Sequence, residues 1–252
     1  MNRNTRVVVL IVLAWALQGA PGWAKVVQKP QMTLNLPDGW VEIPQNILAN
    51  VDKELRRRAP QAQIPRYDYG FQPASVKTWM GYPYILVQID RSGKLLEADL
   101  KELPQLDANG LFRENADKMK SLISQTAFGK MQYDEAAGII WTSAQTQVAG
   151  VGKVRGLSGM IPNETGFIAI HGYARERDFA QYAETFRSII QSTSVTRPTS
   201  APSNWASATS LASRIDWRVL ANPLYLGAIV GAIAGCVGGL IGGIRCLVRG
   251  AD

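Results

Sequence analysis

The stretch GIIWTSAQTQVAGVGKVRGLSGMIPNETGFIAIHGYA, residues 138–174, decides the fold of this chain. It contains three extended segments, and two short turn sequences separate them. Gly150-Val151-Gly152 and Pro162-Asn163-Glu164 are typical of hairpin turns, because glycine, proline and asparagine readily adopt the backbone angles that tight turns need. The stretch therefore predicts three consecutive antiparallel strands.

Shorter segments upstream predict further strands. MTLNLPDGWVEI (32–43) alternates apolar and polar residues, turns at Pro37-Asp38-Gly39 and continues as a second extended piece. RYDYGF (66–71) and YPYILVQID (82–90) follow as two more strands, and the second is so apolar that a central position in the sheet is expected.

Apolar residues at helical spacing predict three helices. Two of them run from Pro44 to about Arg58 and from about Ala108 to Thr126. The last helix has one apolar face, made of Phe179, Tyr182, Ala183, Phe186, Ile189 and Ile190. The order β-β-α-β-β-α-β-β-β-α indicates an α+β domain in which helices pack on an antiparallel sheet, as in an α/β/α sandwich.

Three of these features also carry a family resemblance. The opening LPDGWVEIP (36–44), the late run of hairpins and the closing FAQYAETFRSIIQST (179–193) resemble the PsbP/DcrB-like group of small exported α/β/α domains. The resemblance covers roughly residues 30 to 192, and the chain after Ser194 has no counterpart in it. It implies an accessory or assembly role at a membrane and no shared catalytic residues.

The N-terminus predicts export. A basic start, an apolar core and a tail with Gly22 and Ala24 at the −3 and −1 positions match a signal peptide cleaved after Ala24. An uncleaved anchor is the alternative, although the apolar run is short for a membrane span. Cleavage would remove Arg3 and Arg6 and lower the formal charge from +7 to +5.

The positions of the cysteines and of the basic residues indicate how the domain is stabilised and which partners to expect. Cys236 and Cys246 lie in or beside the C-terminal apolar segment, so the exported domain is expected to depend on its core rather than on disulfides. Its one compact basic run, Arg56-Arg57-Arg58, suits a solvated helix end, where cations meet the negative end of the dipole, and a nucleic-acid or anionic-lipid footprint is the alternative. Export makes a nucleic-acid partner unexpected.

The inventory of reactive side chains argues against an enzyme. His171 is the only histidine, so a multi-histidine metal site cannot be built, and a structural role for it is expected. A serine–histidine–acid triad would need His171, but GLSG at 156–159 has the wrong spacing for a nucleophile elbow and is interpreted as a strand. No catalytic, cofactor or metal site is predicted. The alternative is a hydrolase that uses Asp90, Glu97, Asp99 and Glu102.

Aromatic residues between positions 67 and 84 offer the best candidate for a recognition surface. Aromatics give large contact area at little entropic cost, although about half of them would instead fill the core if they alternate along strands. The candidate surface residues are Tyr67, Tyr69, Trp79 and Tyr82.

The C-terminal segment predicts a membrane anchor. The predicted organisation is a signal peptide over 1–24, an exported domain over 25–193, a linker and juxtamembrane segment over 194–221, a transmembrane helix over 222–245 and a short cytoplasmic tail over 246–252. Residues 223–244 carry no charge and would span about 33 Å as a helix at 1.5 Å per residue.

A stripe of glycines covers one half of that predicted helix, while large apolar residues cover the other half. Such a glycine zipper lets a second helix approach closely, which favours a homo-oligomer or packing against another membrane protein. A monomeric anchor is the alternative. The glycines are Gly227, Gly231, Gly235, Gly238, Gly239, Gly242 and Gly243.

Arg245 and Arg249 follow the apolar segment and predict a cytoplasmic C-terminus under the positive-inside rule. The sequence thus predicts a single-pass cell-membrane protein whose N-terminal domain is extracytoplasmic, and periplasmic in a Gram-negative host. Its expected role is that of a non-enzymatic binding or assembly module. Besides the hydrolase, an oligomeric pore or scaffold formed by the glycine-rich segment remains an alternative.

Overall fold

A computed structural model of the chain describes residues 25–62, 64–91 and 117–195. These residues form two helices, α1 (Gln45–Arg58) and α2 (Glu176–Gln191), and a large antiparallel sheet, which confirms the mixed α and β class. The strands are β1 (Lys25–Lys29), β2 (Met32–Leu36), β3 (Trp40–Glu42), β4 (Tyr69–Pro73), β5 (Tyr84–Asp90), β6 (Ile123–Phe128), β7 (Gln132–Asp134), β8 (Ile139–Val148), β9 (Gly152–Asn163), β10 (Gly166–Arg175) and β11 (Ser194–Val195).

The three strands predicted from residues 138–174 form the middle of the main sheet. Its order is β3-β4-β5-β10-β9-β8-β6, and β7 pairs with β8. Gly150 and Gly152 turn the chain from β8 into β9 with φ values of 77° and 103°, which glycine adopts without a side-chain clash. All of β10 except Arg175 is buried, because helices and neighbouring strands cover it on every side.

An apolar cluster lies on each face of the sheet. On one face, Leu48 and Leu55 of α1 belong to the same cluster as Tyr84, Leu86 and Tyr173. On the other face, α2 packs with residues of β5 and β10 and with β2. Alternation along each strand therefore sends successive side chains into two different cores.

Helix α2 lies very close to the sheet because two glycines make room for it. A β-carbon added at Gly172 would collide with the ring of Phe186, and one at Gly159 would collide with Ile190. The buried face of the helix consists of Phe179, Phe186, Ile189 and Ile190, all of which the sequence placed on its apolar side.

A second, three-stranded sheet has the order β1-β2-β11. Its strand β2 buries Met32, Leu34 and Leu36 in the cluster that also contains α2. Strand β11 pairs with Thr33 and Met32. The first two residues of the predicted linker, Ser194 and Val195, thus form a strand, and the linker can begin only after them.

The predicted helix over 108–126 is wrong at its C-terminal end. Ile123–Phe128 form β6, which pairs with β8, and a register shift between Ser124 and Ala127 marks a bulge. Met119 and Leu122 are buried, as the helical spacing required, but a turn before the strand places them in the core. Here the pairing with the long strand β8 outweighs the helical spacing of the apolar residues, so these residues form a strand. Residues 108–116 lie outside the described residues.

No helix within residues 25–62, 64–91 and 117–195 is long and apolar enough to cross a bilayer. The predicted signal peptide over 1–24, the glycine zipper over 222–245 and the topology residues Arg245 and Arg249 all lie outside the described part of the chain.

Candidate functional site

A row of side chains crosses four central strands on the α1 face of the sheet. Leu86, His171, Ser158 and Thr142 stand opposite one another in β5, β10, β9 and β8. All four are buried. The pairing register therefore brings the single histidine and the serine of GLSG side by side, a contact that the spacing in the sequence does not reveal.

Ser158 and His171 share a hydrogen bond of 2.8 Å between the serine Oγ and the histidine Nδ1. Burial lowers the pKa of His171 to about 3, so the imidazole is neutral at physiological pH. Its Nε2 atom is buried and has no hydrogen-bond partner among the described residues.

This pair lacks the features of a catalytic dyad. A general base works best with a pKa near the operating pH, and a third group normally orients the imidazole. His171 has a pKa far below that range, and Ser158 is fully buried. The geometry is that of two polar groups satisfying one another in the core, which agrees with the structural role expected for His171.

Tyrosines surround this pair. The ring centroids of Tyr67 and Tyr173 each lie 6.3 Å from that of His171. Tyr173 also stacks obliquely on Tyr84 at 5.4 Å, and Tyr84 on Tyr82 at 5.1 Å. Burial raises the pKa of Tyr173 well above its ordinary value, and Tyr67 adds to the shift through its charge and a hydrogen bond.

The structure divides the predicted recognition surface between several environments. Tyr67 and Tyr82 are partly buried and pack against the α1-side core. Tyr69 packs against the α2-side core and has the Lys29 ammonium 4.7 Å from its ring centroid. Trp79 is 39% exposed and lies in the loop between β4 and β5. Of the four, Trp79 is thus the one that the fold presents to solvent.

The loop that carries Trp79 is held by Gln72, a residue whose side chain is almost completely buried. The Gln72 Nε2 donates to the carbonyl oxygen of Thr78 at 3.0 Å, and its Oε1 accepts from the backbone N–H of Met80 at 2.8 Å. Both ends of one amide therefore clamp the backbone on either side of Trp79.

Met80 attaches the same loop to the core of the domain. Its side chain is fully buried in the α1-side core, and its backbone has a φ of 61°, a conformation that non-glycine residues rarely adopt. Strained backbone of this kind persists only where surrounding contacts determine it. Trp79 is consequently displayed on a rigid loop rather than on a loose one. Sequence reasoning missed Gln72, because a glutamine in a strand gives no sign of which loop it will hold.

Each arginine of the basic run at the end of α1 forms an ion pair with an acid of the same helix. Arg56 pairs with Asp52 at 2.9 Å, and Glu54 accepts from both Arg57 at 2.6 Å and Arg58 at 2.7 Å. Hydrogen bonds from Arg57 and Arg58 lower the pKa of Glu54 to about 2. The run therefore has the partners expected of a solvated helix end.

Of the four acids proposed for a hydrolase, one lies within the described residues. Asp90 is half-buried at the end of β5, whereas Glu97, Asp99 and Glu102 lie outside the described residues. Over the described ranges, no three histidine, cysteine or acidic residues come together as metal ligands would.

Comparison with known proteins gives likeness of structure alone. No protein-family model and no characterised sequence matches the chain. Among solved structures, the cyanobacterial PsbP protein CyanoP from Synechocystis is similar, with 14% identity and a TM-score of 0.47 over 72% of this chain and 99% of that one.

Two further solved structures are similar over comparable shares of this chain. LpqN of Mycobacterium tuberculosis, a protein involved in cell envelope biogenesis, has 16% identity and a TM-score of 0.36 over 69% of this chain and 90% of that one. The Ran-binding protein Mog1p of Saccharomyces cerevisiae has 12% identity and a TM-score of 0.39 over 68% of this chain and 94% of that one. A PsbP protein is thus among the neighbours, as the resemblance to the PsbP/DcrB-like group predicted. None of these likenesses bears on activity or partner.

Proposed function

We propose that this protein is a membrane-anchored extracytoplasmic module that binds or assembles other components and performs no catalysis. In this proposal residues 25–195 form the exported domain, residues 222–245 anchor it, and Arg245 and Arg249 hold the C-terminus in the cytoplasm. The observation that carries the binding role is the clamped loop of Gln72, which presents Trp79 to solvent.

A rigid loop with an exposed tryptophan suits recognition for two reasons. Tryptophan is enriched among the residues that dominate binding energies, because it brings a large contact area with few rotatable bonds. A loop that is already ordered also loses little entropy when a partner binds. The hydrogen bonds of Gln72 have already ordered the loop before a partner binds.

The interior of the domain supports the non-catalytic part of the proposal. The Ser158–His171 pair is buried and neutral, and its imidazole is a poor base. The described histidine, which a serine–histidine dyad would need as its base, is therefore engaged in the core.

The anchor can be tested by membrane fractionation. The full-length chain should stay in the membrane pellet after alkaline carbonate extraction, and external protease should cleave the N-terminal domain in spheroplasts while sparing the C-terminus. A matched chain that ends at Val195 should be released into the soluble fraction. A full-length chain that carbonate extracts would contradict the anchor.

The glycine zipper predicts a specific assembly defect. Gly235→Ile should weaken helix packing, because a large side chain blocks the close approach that glycine allows. Ile233→Leu, on the large-residue side of the same predicted helix, is the matched control. Cross-linking in membranes should show fewer oligomers or fewer partner adducts for Gly235→Ile alone.

The same variants test the pore or scaffold alternative. That alternative requires discrete high-order assemblies in the parent chain, and Gly235→Ile should dissociate them. The hydrolase alternative requires instead that Asp90→Ala, Glu97→Ala or Asp99→Ala abolish function in a chain that still folds.

A further inference from the structure

The loop that carries Trp79 lies at one end of the main sheet. The pairing registers show which other segments lie at that end. Tyr84, where the loop enters β5, pairs with Tyr173, two residues before Arg175. Arg175 pairs with Val154, the neighbour of Lys153. The β4–β5 loop, the start of β9 and the junction between β10 and α2 therefore lie together, and we call this the Trp79 end.

The described residues at the Trp79 end carry a surplus of positive charge. Lys77, Lys153 and Arg175 are exposed there and make no ion pair with any other described residue. Three acids at this end are each neutralised by a cation, in the pairs Asp117–Lys120 at 3.2 Å, Glu176–Arg155 at 3.6 Å and Asp178–Arg177 at 3.4 Å. Among the described residues named here, Asp38 in the β2–β3 turn is the one further acid, so the cations of this set exceed its acids.

The opposite end of the sheet has a different character. The β7–β8 turn contains Glu135 and the β9–β10 turn contains Glu164, and neither turn contains a cation. Among the described residues, the exposed tryptophan thus lies at the end of the sheet that carries the exposed cations Lys77, Lys153 and Arg175.

We infer that the Trp79 end docks on an anionic lipid surface, with Trp79 seated among the headgroups and Lys77, Lys153 and Arg175 facing the lipid charges. Tryptophan prefers the boundary between headgroups and hydrocarbon. Lysine and arginine are attracted to negatively charged leaflets within about a Debye length of the surface. The inference deepens the proposed function, because it names the partner of the clamped loop.

The attachment point of the predicted tether gives this docking a consequence. Strand β11 ends at Val195 beside Met32. Strand β2 then runs from Met32 to Leu36, which precedes the β2–β3 turn at the Trp79 end. The chain therefore leaves the domain at the end away from Trp79. Residues 196–221 can extend to roughly 85 Å at about 3.3 Å each, far enough to let the domain turn over. Tether and docking end would hold the domain at two points and fix its orientation.

The test uses the full-length chain in lipid nanodiscs of phosphatidylcholine alone or mixed with phosphatidylglycerol. Amide hydrogen exchange should be slowed several-fold at residues 74–80 and 150–154 in the anionic discs, with the turn at 163–166 unchanged. Salt at about 1 M should remove the protection, because the Debye length falls to roughly 3 Å.

Two variants should lose most of the protection, Trp79→Ala and the triple change Lys77→Gln, Lys153→Gln and Arg175→Gln. The matched control is Arg91→Gln at the far end, directly after Asp90 of β5. This variant should retain the protection. The triple variant leaves the Gln72 clamp intact, so a loss there cannot come from an unfolded loop.

Equal exchange in neutral and anionic discs would overturn the inference while leaving the anchor intact. Protection that arises only in native membranes, and never in discs of pure lipid, would overturn it in favour of a protein partner. Failure of the anchor would show differently, as release of the chain by carbonate.

Discussion

The ring of Phe186 in α2 lies over Gly172 in β10 with no space between them for a β-carbon. Ile190, one helical turn further, meets Gly159 of β9 in the same way. Gly159 pairs with Ile170 and Gly172 with Leu157, so the two glycines lie diagonally on one face of adjacent strands. Together they form the seat of α2.

Gly172→Ala should destabilise the domain by about 1–3 kcal/mol, because the new methyl group must displace a packed aromatic ring. Unfolding of the purified chain by heat or denaturant, followed by circular dichroism, measures the loss. Combining it with Phe186→Leu should destabilise less than the sum of the two single changes. An alanine variant as stable as the parent would show that the helix is not seated on this glycine.

His171 should make the domain sensitive to acid. Its pKa is lowered to about 3 in the folded state, whereas the unfolded chain has a value near 6.5. Between these values the unfolded state binds the extra proton, so stability is fully present above pH 6.5 and falls as the pH drops, by at most about 1.4 kcal/mol per unit. The loss ends near pH 3.

Denaturation measured from pH 7 to pH 4 checks this slope. His171→Phe removes the titrating group and should flatten the profile over that range, even though it also leaves Ser158 without its partner. Parent and variant curves that run parallel would mean that His171 does not govern the acid response.

Gln72→Ala should loosen the loop that presents Trp79. The change removes the buried or partly buried hydrogen bonds of Gln72 to the backbone of Val76, Thr78 and Met80, and should destabilise the domain by about 1–3 kcal/mol. Hydrogen exchange at residues 74–80 should accelerate more than in the rest of the sheet. Gln145→Ala, in the half-buried part of β8, is the matched control and should leave exchange in the loop unchanged.

Ser158→Ala should affect stability rather than reactivity. It leaves the buried Nδ1 of His171 without a partner, at a cost of about 1–3 kcal/mol. A fluorophosphonate probe, which labels activated serines, should not modify the parent chain. Labelling that disappears in Ser158→Ala but persists in Ser143→Ala would instead identify a working nucleophile.

Much of the fold could be predicted because its signals are local. The turn at Gly150 and the turn that follows Asn163 separate three strands, although Pro162 itself lies in β9. The apolar face of α2 repeats within one helix. The end of the predicted helix at 108–126 could not be predicted, since Ile123 and its neighbours become a strand only when β8 lies beside them. For the same reason the short strands β1, β7 and β11 left no pattern of their own.

The candidate site divides along the same line. The sequence by itself determined that the domain has one histidine, that aromatic residues cluster between positions 67 and 84, and that strands with turns between them fold into a sheet. Only the tertiary structure decided which of those aromatics reach solvent, that Ser158 meets His171, and that Gln72 clamps the loop of Trp79. Hydrophobic periodicity and turn residues act between positions that are close in the chain. Side-chain burial and strand pairing depend on residues that are far apart in the chain and that the sheet brings together.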